Sequence, residues 1–130
     1  MTHSDNPRHY FPDRPVVLIV DDEVMIRDIA RITLEREGFC VLTAGNGEEA
    51  LVLSRQYPGV IHVLLTDFDM PKMNGVELST HVCNDRPDTR ILMMSGRYEK
   101  CDSRSHFLRK PFGPRELAET VTGLIAVRHD

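Results

Sequence analysis

The sequence lacks the features of a membrane-spanning, exported or nucleic-acid-binding chain. No run approaches the ~18 consecutive apolar residues that a membrane helix needs, and residues 1–15 contain no apolar signal-peptide core. Lysine and arginine total 16 against 20 aspartates and glutamates, so a clustered basic surface is not expected. The three cysteines, Cys40, Cys83 and Cys101, have no metal-ligand spacing, and we expect reduced thiols in a cytoplasmic protein.

The overall composition is typical of one folded domain. The chain has 130 residues, of which 41% are hydrophobic and 28% charged, so a packed core is feasible. Residues 1–14 are polar and without periodicity, and they are predicted to form a flexible tail. Residues 15–130 are predicted to be a single domain, without internal repeats or low-complexity segments.

Apolar runs alternate with helical patterns along this domain. Residues 16–20 form a β-branched run that is typical of a strand buried on both faces. Further strands are predicted at 40–44, 61–66 and 91–94 and from Phe107. Helices are predicted after Glu23 with Ile26, Ile29, Ala30, Thr33 and Leu34 inward, at 47–56, at 76–85 with Val76, Leu78 and Val82 inward, and from Pro114. The alternation predicts an α/β fold with a doubly wound parallel sheet.

Polar residues follow four of the predicted strands at the point where each strand ends. They are Asp21 and Asp22, Asp67, Ser95, and Lys110. Because the carboxyl ends of parallel strands share one edge of the sheet, three carboxylates should crowd together there. Two such charges ~4 Å apart repel by about 4 kcal/mol at an effective dielectric of 20. A bound Mg²⁺, which prefers oxygen ligands, would offset that repulsion.

This combination of residues suits phosphoryl transfer. Asp67 can act as a nucleophile and form an acyl phosphate. Mg²⁺ and Lys110 can neutralise charge on the phosphoryl oxygens, and the Ser95 hydroxyl can donate a hydrogen bond to one of them. The sequence therefore predicts a phosphoacceptor site at this edge.

Four motifs resemble the receiver domain of two-component response regulators. They are Val-Asp-Asp-Glu at 20–23, Leu-Thr-Asp-Phe-Asp-Met-Pro-Lys-Met-Asn-Gly at 65–75, Met-Ser-Gly at 94–96 and Lys-Pro-Phe at 110–112. The resemblance extends over roughly residues 15–127, and the motifs around Asp67 and Ser95 are similar to those of receivers attached to hybrid sensor kinases. It implies a flavodoxin-like five-stranded sheet with strand order 2-1-3-4-5.

The resemblance also implies the roles of individual residues. Asp67 would be the phosphorylation site, and Asp21 and Asp22 would bind Mg²⁺, one of them directly, together with Asp67 and the backbone carbonyl of Asp69. Ser95 and Lys110 would contact the phosphoryl group, and the Lys110–Pro111 peptide bond is expected to be cis. The donor would be a phosphohistidine on a histidine kinase or phosphotransfer protein. Such a domain is a signalling phosphoacceptor that promotes only its own phosphorylation and dephosphorylation.

Two features depart from the family pattern. Only about eleven residues, Gly96 to His106, connect strands four and five, whereas a parallel crossover needs a dozen or more. The fourth helix, between these strands, is therefore expected to be shortened or disordered, which favours a monomer or weak homodimer. Phe107 stands at the family's aromatic switch position, where it would act with Ser95 but has no hydroxyl.

Three functional hypotheses remain open from the sequence. The first is a stand-alone receiver that signals to an unknown downstream protein by contact or phosphorelay, because the chain ends just after the last helix. The second is a degenerate receiver that acts as a constitutive binding module. The third is a phosphohydrolase of the haloacid dehalogenase type, suggested by the Asp67-x-Asp69 pair, although that pair normally follows the first strand.

Overall fold

The computed structural model describes residues 14–96 and 105–126. Within these ranges, five strands and four helices follow one another along the chain. Their bounds are β1 Val16–Val20, α1 Val24–Arg36, β2 Cys40–Ala44, α2 Gly47–Gln56, β3 Val63–Asp67, α3 Gly75–Asp85, β4 Arg90–Ser95, β5 Ser105–Arg109 and α4 Pro114–Ala126.

The five strands form one sheet in the predicted order β2-β1-β3-β4-β5, and every neighbouring pair is parallel. The register aligns the carboxyl ends of the strands. Val20 lies opposite Ala44 of β2 and Thr66 of β3. Asp67 lies opposite Met94, and Ser95 lies opposite Arg109. The residues that follow these positions therefore meet at one edge of the sheet, as predicted.

Two hydrophobic layers cover the two faces of the sheet. In β1, Leu18 points into the layer formed with α2 and α3, whereas Ile19 points into the layer formed with α1 and α4. The central strands are buried on both faces, which explains why they are continuous apolar runs rather than alternating ones. The sheet is thus a rigid frame that fixes the positions of its strand ends.

Three predicted elements have the predicted bounds, namely β1, β2 and α2. Strand β3 begins at Val63 rather than at residue 61. His62, which lies just before the strand, contacts β1 through its side chain, because the Val16 N–H donates to His62 Nδ1 at 3.0 Å. Strand β5 begins at Ser105, ahead of the predicted Phe107, and β4 begins at Arg90. Pairing with the neighbouring strand, rather than apolar character, sets these boundaries.

Two inward-facing predictions are wrong. Ile29 of α1 is 50% exposed and Val76 of α3 is 44% exposed, while Ala30, Leu34 and Leu78 are buried as predicted. Each helix presents a narrow stripe to the sheet, and these two side chains lie beside that stripe rather than on it. Gly38 follows the end of α1 with a φ of 96°, a conformation that favours glycine and that commonly terminates a helix.

Some predictions concern parts of the chain outside the described residues. The shortened fourth helix would fall within residues 97–104, and the flexible tail would fall largely within residues 1–13. Among the described helices, none combines the length and the apolar character that a bilayer crossing requires.

Candidate functional site

Three carboxylates from two strand ends meet at the carboxyl edge of the sheet. Asp21 and Asp22 follow β1, and Asp67 is the last residue of β3. One carboxylate oxygen from each lies within 4.8 Å of the others. Asp21 and Asp67 are buried, whereas Asp22 is exposed, so the cluster opens to solvent on the Asp22 side.

Lys110, which directly follows β5, reaches into this cluster. Its Nζ lies 3.1 Å from Oδ2 of Asp21 and 3.4 Å from Oδ1 of Asp67. It also lies 3.6 Å from Oε1 of Glu23, a carboxylate that is mostly exposed. The Lys110 side chain is only 15% exposed, so its charge interacts with the two buried carboxylates through little solvent. The peptide bond between Lys110 and Pro111 is cis, as predicted.

Asp21 is fixed at each of its polar atoms. Its backbone N–H donates to Ala44 at 3.3 Å, and its carbonyl accepts from Arg27 Nη1 at 2.7 Å. In the side chain, Oδ1 accepts from the Glu23 N–H at 2.9 Å and Oδ2 accepts from Lys110. The carboxylate of Asp21 is therefore held in place by the protein before any ligand binds.

The turn after Asp67 connects the end of β3 to the start of α3. Phe68 N–H donates to Met94 at 2.7 Å, which extends the pairing of β3 with β4, and Gly75 N–H donates back to Phe68 at 2.9 Å. A hydrogen-bonded capping box between Asn74 and Glu77 then starts α3, with Asn74 Oδ1 accepting at 2.9 Å and Glu77 Oε1 at 3.0 Å. The loop closes on itself while Asp67 stays at the strand end.

Burial and crowding change the protonation equilibria of the site. Burial, followed by repulsion from Asp21, raises the pKa of Asp67 to about 6, against the opposing effects of Lys110 and of a hydrogen bond from the Asp69 amide. Burial also raises the pKa of Asp21. Burial alone would lower the pKa of Lys110, but hydrogen bonds and attraction to Asp21 and Asp67 outweigh it, so that pKa is raised. The site therefore carries excess negative charge that one lysine does not neutralise.

This donor set fits a divalent magnesium ion. The fit rests on three carboxylates with oxygens within 4.8 Å of one another, whose negative charge is opposed at the site by the single cation of Lys110. Mg²⁺ prefers oxygen ligands and is commonly held by one or two carboxylates while it keeps several waters. The exposed side chain of Asp22 leaves room for such waters.

The remaining predicted site residues lie near the same edge. Ser95 ends β4 and is buried, and its carbonyl accepts from the Lys110 N–H at 2.7 Å. Phe107 lies within β5, where it is partly buried and packs against the hydrophobic layer under α2 and α3. Asp69 is exposed two residues after Asp67. Ser95 and Asp69 are thus at or next to the carboxyl edge, whereas Phe107 lies in the middle of β5, opposite Met93.

Two further residues of the site were not predicted from the sequence. Glu23 approaches Lys110, and Arg27 hydrogen-bonds the Asp21 carbonyl. The sequence offers a signal for Glu23, which directly follows the two aspartates, whereas no pattern of residue types indicates the contact of the Arg27 side chain with a backbone carbonyl.

Comparisons with known proteins agree with this geometry. Residues 17–122 match the family described as the response regulator receiver domain. The chain is 33% identical over 117 residues to the "Probable transcriptional regulator ycf27" of Porphyra purpurea, covering 84% of this chain and 46% of that protein. It therefore spans less than half the length of that curated relative.

Solved structures give the same result. The receiver domain of the hybrid histidine kinase CckA superposes with a TM-score of 0.77 at 31% identity, covering 85% of this chain and 98% of that one. The chemotaxis response regulator CheY4 of Vibrio cholerae gives the same TM-score, identity and coverage. The chain belongs to the response regulator receiver domain family of two-component signalling.

Proposed function

We propose that this domain accepts a phosphoryl group on Asp67, with Mg²⁺ bound beside it, and changes its contacts with another protein as a result. The observation that carries the proposal is the close approach of Asp21, Asp22 and Asp67, with Lys110 within 3.4 Å of both buried carboxylates. Phosphoryl transfer to a carboxylate requires a nucleophilic carboxylate beside groups that neutralise the phosphoryl charge, and Lys110 together with Mg²⁺ at the acidic cluster would provide these.

The transfer step follows from this placement. An oxygen of Asp67 attacks the phosphorus of a phosphohistidine carried by a histidine kinase or phosphotransfer protein. The new O–P bond forms as the P–N bond breaks, and the imidazole nitrogen leaves with the bonding electron pair and takes up a proton from solvent. The product is an acyl phosphate on Asp67, and Lys110 is close enough to neutralise part of the charge on its oxygens.

The metal ligands in this proposal are Asp22, Asp67 and the backbone carbonyl of Asp69, with Asp21 as the supporting carboxylate. When bound, Mg²⁺ supplies charge neutralisation for the phosphoryl oxygens. The observed hydrogen bonds support this assignment, because both carboxylate oxygens of Asp21 already accept hydrogen bonds from the protein, whereas Asp22 is exposed to solvent.

Ser95 and Phe107 are the proposed switch residues. Ser95 is buried at the end of β4. Its hydroxyl would turn a short distance to donate a hydrogen bond to a new phosphoryl oxygen. Phe107 is partly buried, which leaves it room to move further inward once Ser95 has turned. A movement of this kind changes the surface near β4 and β5 that a downstream protein would contact.

The signalling output is proposed to be protein contact or onward phosphorelay. We further propose that the domain works in the cytoplasm, where histidine kinases and phosphotransfer proteins expose their phosphohistidine. Whether it acts as a stand-alone receiver and as a monomer or weak homodimer stays a prediction, to be tested on the native protein.

The test is incubation of the whole chain with acetyl phosphate, with and without Mg²⁺, followed by intact mass spectrometry. We expect one added phosphoryl group only when Mg²⁺ is present. Asp67→Asn should add none, and Asp88→Asn, which alters an exposed aspartate away from the site, should add one as the wild type does. Absence of labelling on the wild type, or equal labelling of Asp67→Asn, would contradict the proposal.

Two other outcomes separate the remaining hypotheses. A constitutive binding module would bind its partner equally well as wild type, Asp67→Asn and Asp67→Glu, and with or without acetyl phosphate. A phosphohydrolase would release inorganic phosphate continuously from a phosphomonoester such as p-nitrophenyl phosphate. The receiver proposal expects neither behaviour.

A further inference from the structure

The guanidinium of Arg27 contacts the backbone of Asp21, whereas Lys110 contacts the Asp21 carboxylate. Its Nη1 donates a 2.7 Å hydrogen bond to the carbonyl oxygen of Asp21. The same nitrogen lies 3.2 Å from the position that a Cβ on Gly45 would occupy, so the guanidinium rests over the glycine that follows β2. Arg27 is partly buried there, and its own N–H donates to Glu23 at 3.1 Å in the first turn of α1.

The carbonyl that Arg27 holds lies beyond the regular sheet. The last paired residue of β1 is Val20, opposite both Ala44 and Thr66. One step further, the Asp21 N–H still reaches Ala44, but at 3.3 Å this hydrogen bond is long. Sheet pairing therefore restrains the chain only up to Asp21, and the direction of the following peptide depends on other contacts.

That peptide unit joins Asp21 to Asp22. The plane of a peptide bond is rigid, so fixing the Asp21 carbonyl also fixes the direction in which the chain leaves toward Asp22. Within residues 14–96 and 105–126, no hydrogen bond or ion pair holds the Asp22 carboxylate itself. Its place within 4.8 Å of the other two carboxylates is therefore set by the backbone.

We propose that Arg27 is a positioning residue for the metal site: by holding the Asp21 carbonyl, it aims the Asp22 carboxylate into the cluster and so sets the affinity for Mg²⁺. This inference rests on the proposed function for the identity of the cation. Residues that orient metal ligands without touching the metal commonly change affinity 10- to 100-fold when they are removed.

The sign of the effect distinguishes positioning from simple electrostatics. Arg27 is a cation next to an acidic cluster, so if only its charge mattered, its removal would strengthen the binding of a divalent cation. If Arg27 positions Asp22, its removal weakens that binding. The two explanations therefore predict opposite changes in the same measurement.

The experiment is calorimetric titration of Mg²⁺ into the whole chain as wild type, Arg27→Ala, Arg27→Lys and Arg31→Ala. Arg31 lies one turn further along α1 and pairs at the surface with Glu35 at 3.1 Å, so its variant removes the same charge without touching the Asp21 carbonyl. We expect Arg27→Ala to weaken Mg²⁺ binding roughly 10- to 100-fold. Arg31→Ala should stay within about twofold of the wild type, since surface charges are screened.

Arg27→Lys tests whether geometry or charge is responsible. A lysine keeps the charge but presents a compact ammonium on a flexible chain instead of a planar fork. We expect an affinity between those of the wild type and Arg27→Ala. Circular dichroism establishes that each variant is folded; if Arg27→Ala does not fold, a severalfold weakening in Arg27→Lys carries the test.

Phosphorylation by acetyl phosphate gives a second readout. In Arg27→Ala the Mg²⁺ concentration for half-maximal labelling should rise by the same factor as the dissociation constant, while the rate at saturating Mg²⁺ stays within about twofold. A generally distorted site would lower the saturated rate as well, which would contradict a positioning role.

The outcomes separate this inference from the proposed function. Equal or tighter Mg²⁺ binding by Arg27→Ala overturns the inference while wild-type labelling still supports the phosphoacceptor. If Arg27→Ala binds Mg²⁺ more weakly than the wild type but acetyl phosphate never labels the wild type, the inference is supported and the phosphoacceptor proposal is overturned. A wild-type chain that binds no Mg²⁺ overturns both.

Discussion

The Nζ atom of Lys110, which follows β5, lies 3.4 Å from Oδ1 of Asp67, which ends β3. In the sheet these two strands are separated by β4. The lysine side chain is 15% exposed and that of Asp67 is 10% exposed, so the pair is largely shielded from water. Removal of the lysine leaves the buried carboxylates without a compensating cation, and an uncompensated charge of this kind costs about 3–5 kcal/mol when it is fully buried.

The first prediction follows from this contact. In Mg²⁺-free buffer near neutral pH, Lys110→Met should lower the free energy of unfolding by roughly 2–4 kcal/mol, because Asp21 and Asp67 lose their shared cation. Urea unfolding measures the change, and saturating Mg²⁺ should recover part of it. The control is Arg109→Met, which removes a neighbouring exposed cation and should change stability by less than about 0.5 kcal/mol. Equal losses in the two variants would contradict the prediction.

The second prediction concerns the pH dependence of stability. The pKa of Asp67 is about 6 in the folded chain, compared with its ordinary value of 3.8. The folded state therefore takes up a proton at a higher pH than the unfolded state does. Above pH ~6 the Asp67 carboxylate is charged in the folded state, and its destabilising effect has its full size. As the pH falls from about 6 toward 4 the carboxylate takes up a proton, and this destabilisation is lost. A shift of about two units corresponds to roughly 2–3 kcal/mol.

Asp67→Asn should therefore be roughly 2–3 kcal/mol more stable than the wild type near neutral pH without Mg²⁺. The difference between the two stabilities should shrink as the pH is lowered through about 6. Asp88→Asn, which alters an exposed carboxylate, should follow the wild-type curve. The measurement is urea unfolding across this pH range, and a constant difference between wild type and Asp67→Asn would be the contrary result.

The third prediction concerns the glycine that starts α3. A Cβ atom on Gly75 would collide with the backbone carbonyl oxygen of Asp67 and would lie 3.1 Å from Met93 Sδ. Gly75→Ala must therefore push the end of β3, which carries Asp67, away from α3. We expect the free energy of unfolding to fall by about 1–3 kcal/mol and Mg²⁺ to bind more weakly. Gly123 lies in the exposed part of α4, where a Cβ atom would meet no atom within 4 Å apart from its own stretch of helix. Gly123→Ala should therefore raise the free energy of unfolding by about 0.5–1 kcal/mol. Thermal unfolding and Mg²⁺ titration of the two variants check both signs.

Much of the fold follows from the sequence because the central strands are buried on both faces. Residues 16–20 are a continuous apolar run between Pro15 and Asp21, and residues 40–44 lie between Gly38 and Gly45, so the ends of both strands can be located in the sequence and match the structure. The start of β3 is not visible in the same way. Residue 61 is apolar and buried but lies before the ladder, since pairing with β1 and β4 decides where a strand begins.

The convergence of Asp21, Asp22, Asp67 and Lys110 could also be predicted, because parallel strands bring their carboxyl ends to one edge whatever the details of packing. The contacts of Arg27 could not. Its side chain turns back past the start of its own helix to reach a backbone carbonyl, and no pattern of residue types encodes that direction. The inward prediction for Ile29 is wrong for a different reason: apolar spacing alone does not rank neighbouring positions on a helix.

The fourth prediction concerns Arg86, which follows α3 and joins it to the end of α2. Its guanidinium donates to the carbonyls of Ser54 and Tyr57 at 2.7 and 2.9 Å, to that of Gly59 at 2.7 Å and to Ser54 Oγ at 3.2 Å. These bonds satisfy carbonyls that the end of α2 leaves without helical partners. Burial lowers the pKa of Arg86, and an arginine side chain keeps its charge in proteins.

Arg86→Ala should therefore lower the free energy of unfolding by about 2–4 kcal/mol, because several partly buried carbonyls lose a charged donor at once. Arg86→Lys should recover only part of this, since one ammonium cannot reproduce the planar set of donors. The matched control is Arg55→Ala, whose 2.9 Å ion pair with Asp85 is 56% and 36% exposed and should contribute less than about 1 kcal/mol. Because Arg86 lies away from the strand-end carboxylates, phosphoryl labelling of the folded Arg86→Ala chain should match that of the wild type. Urea unfolding together with labelling by acetyl phosphate tests both statements, and a loss of labelling without a loss of stability would contradict them.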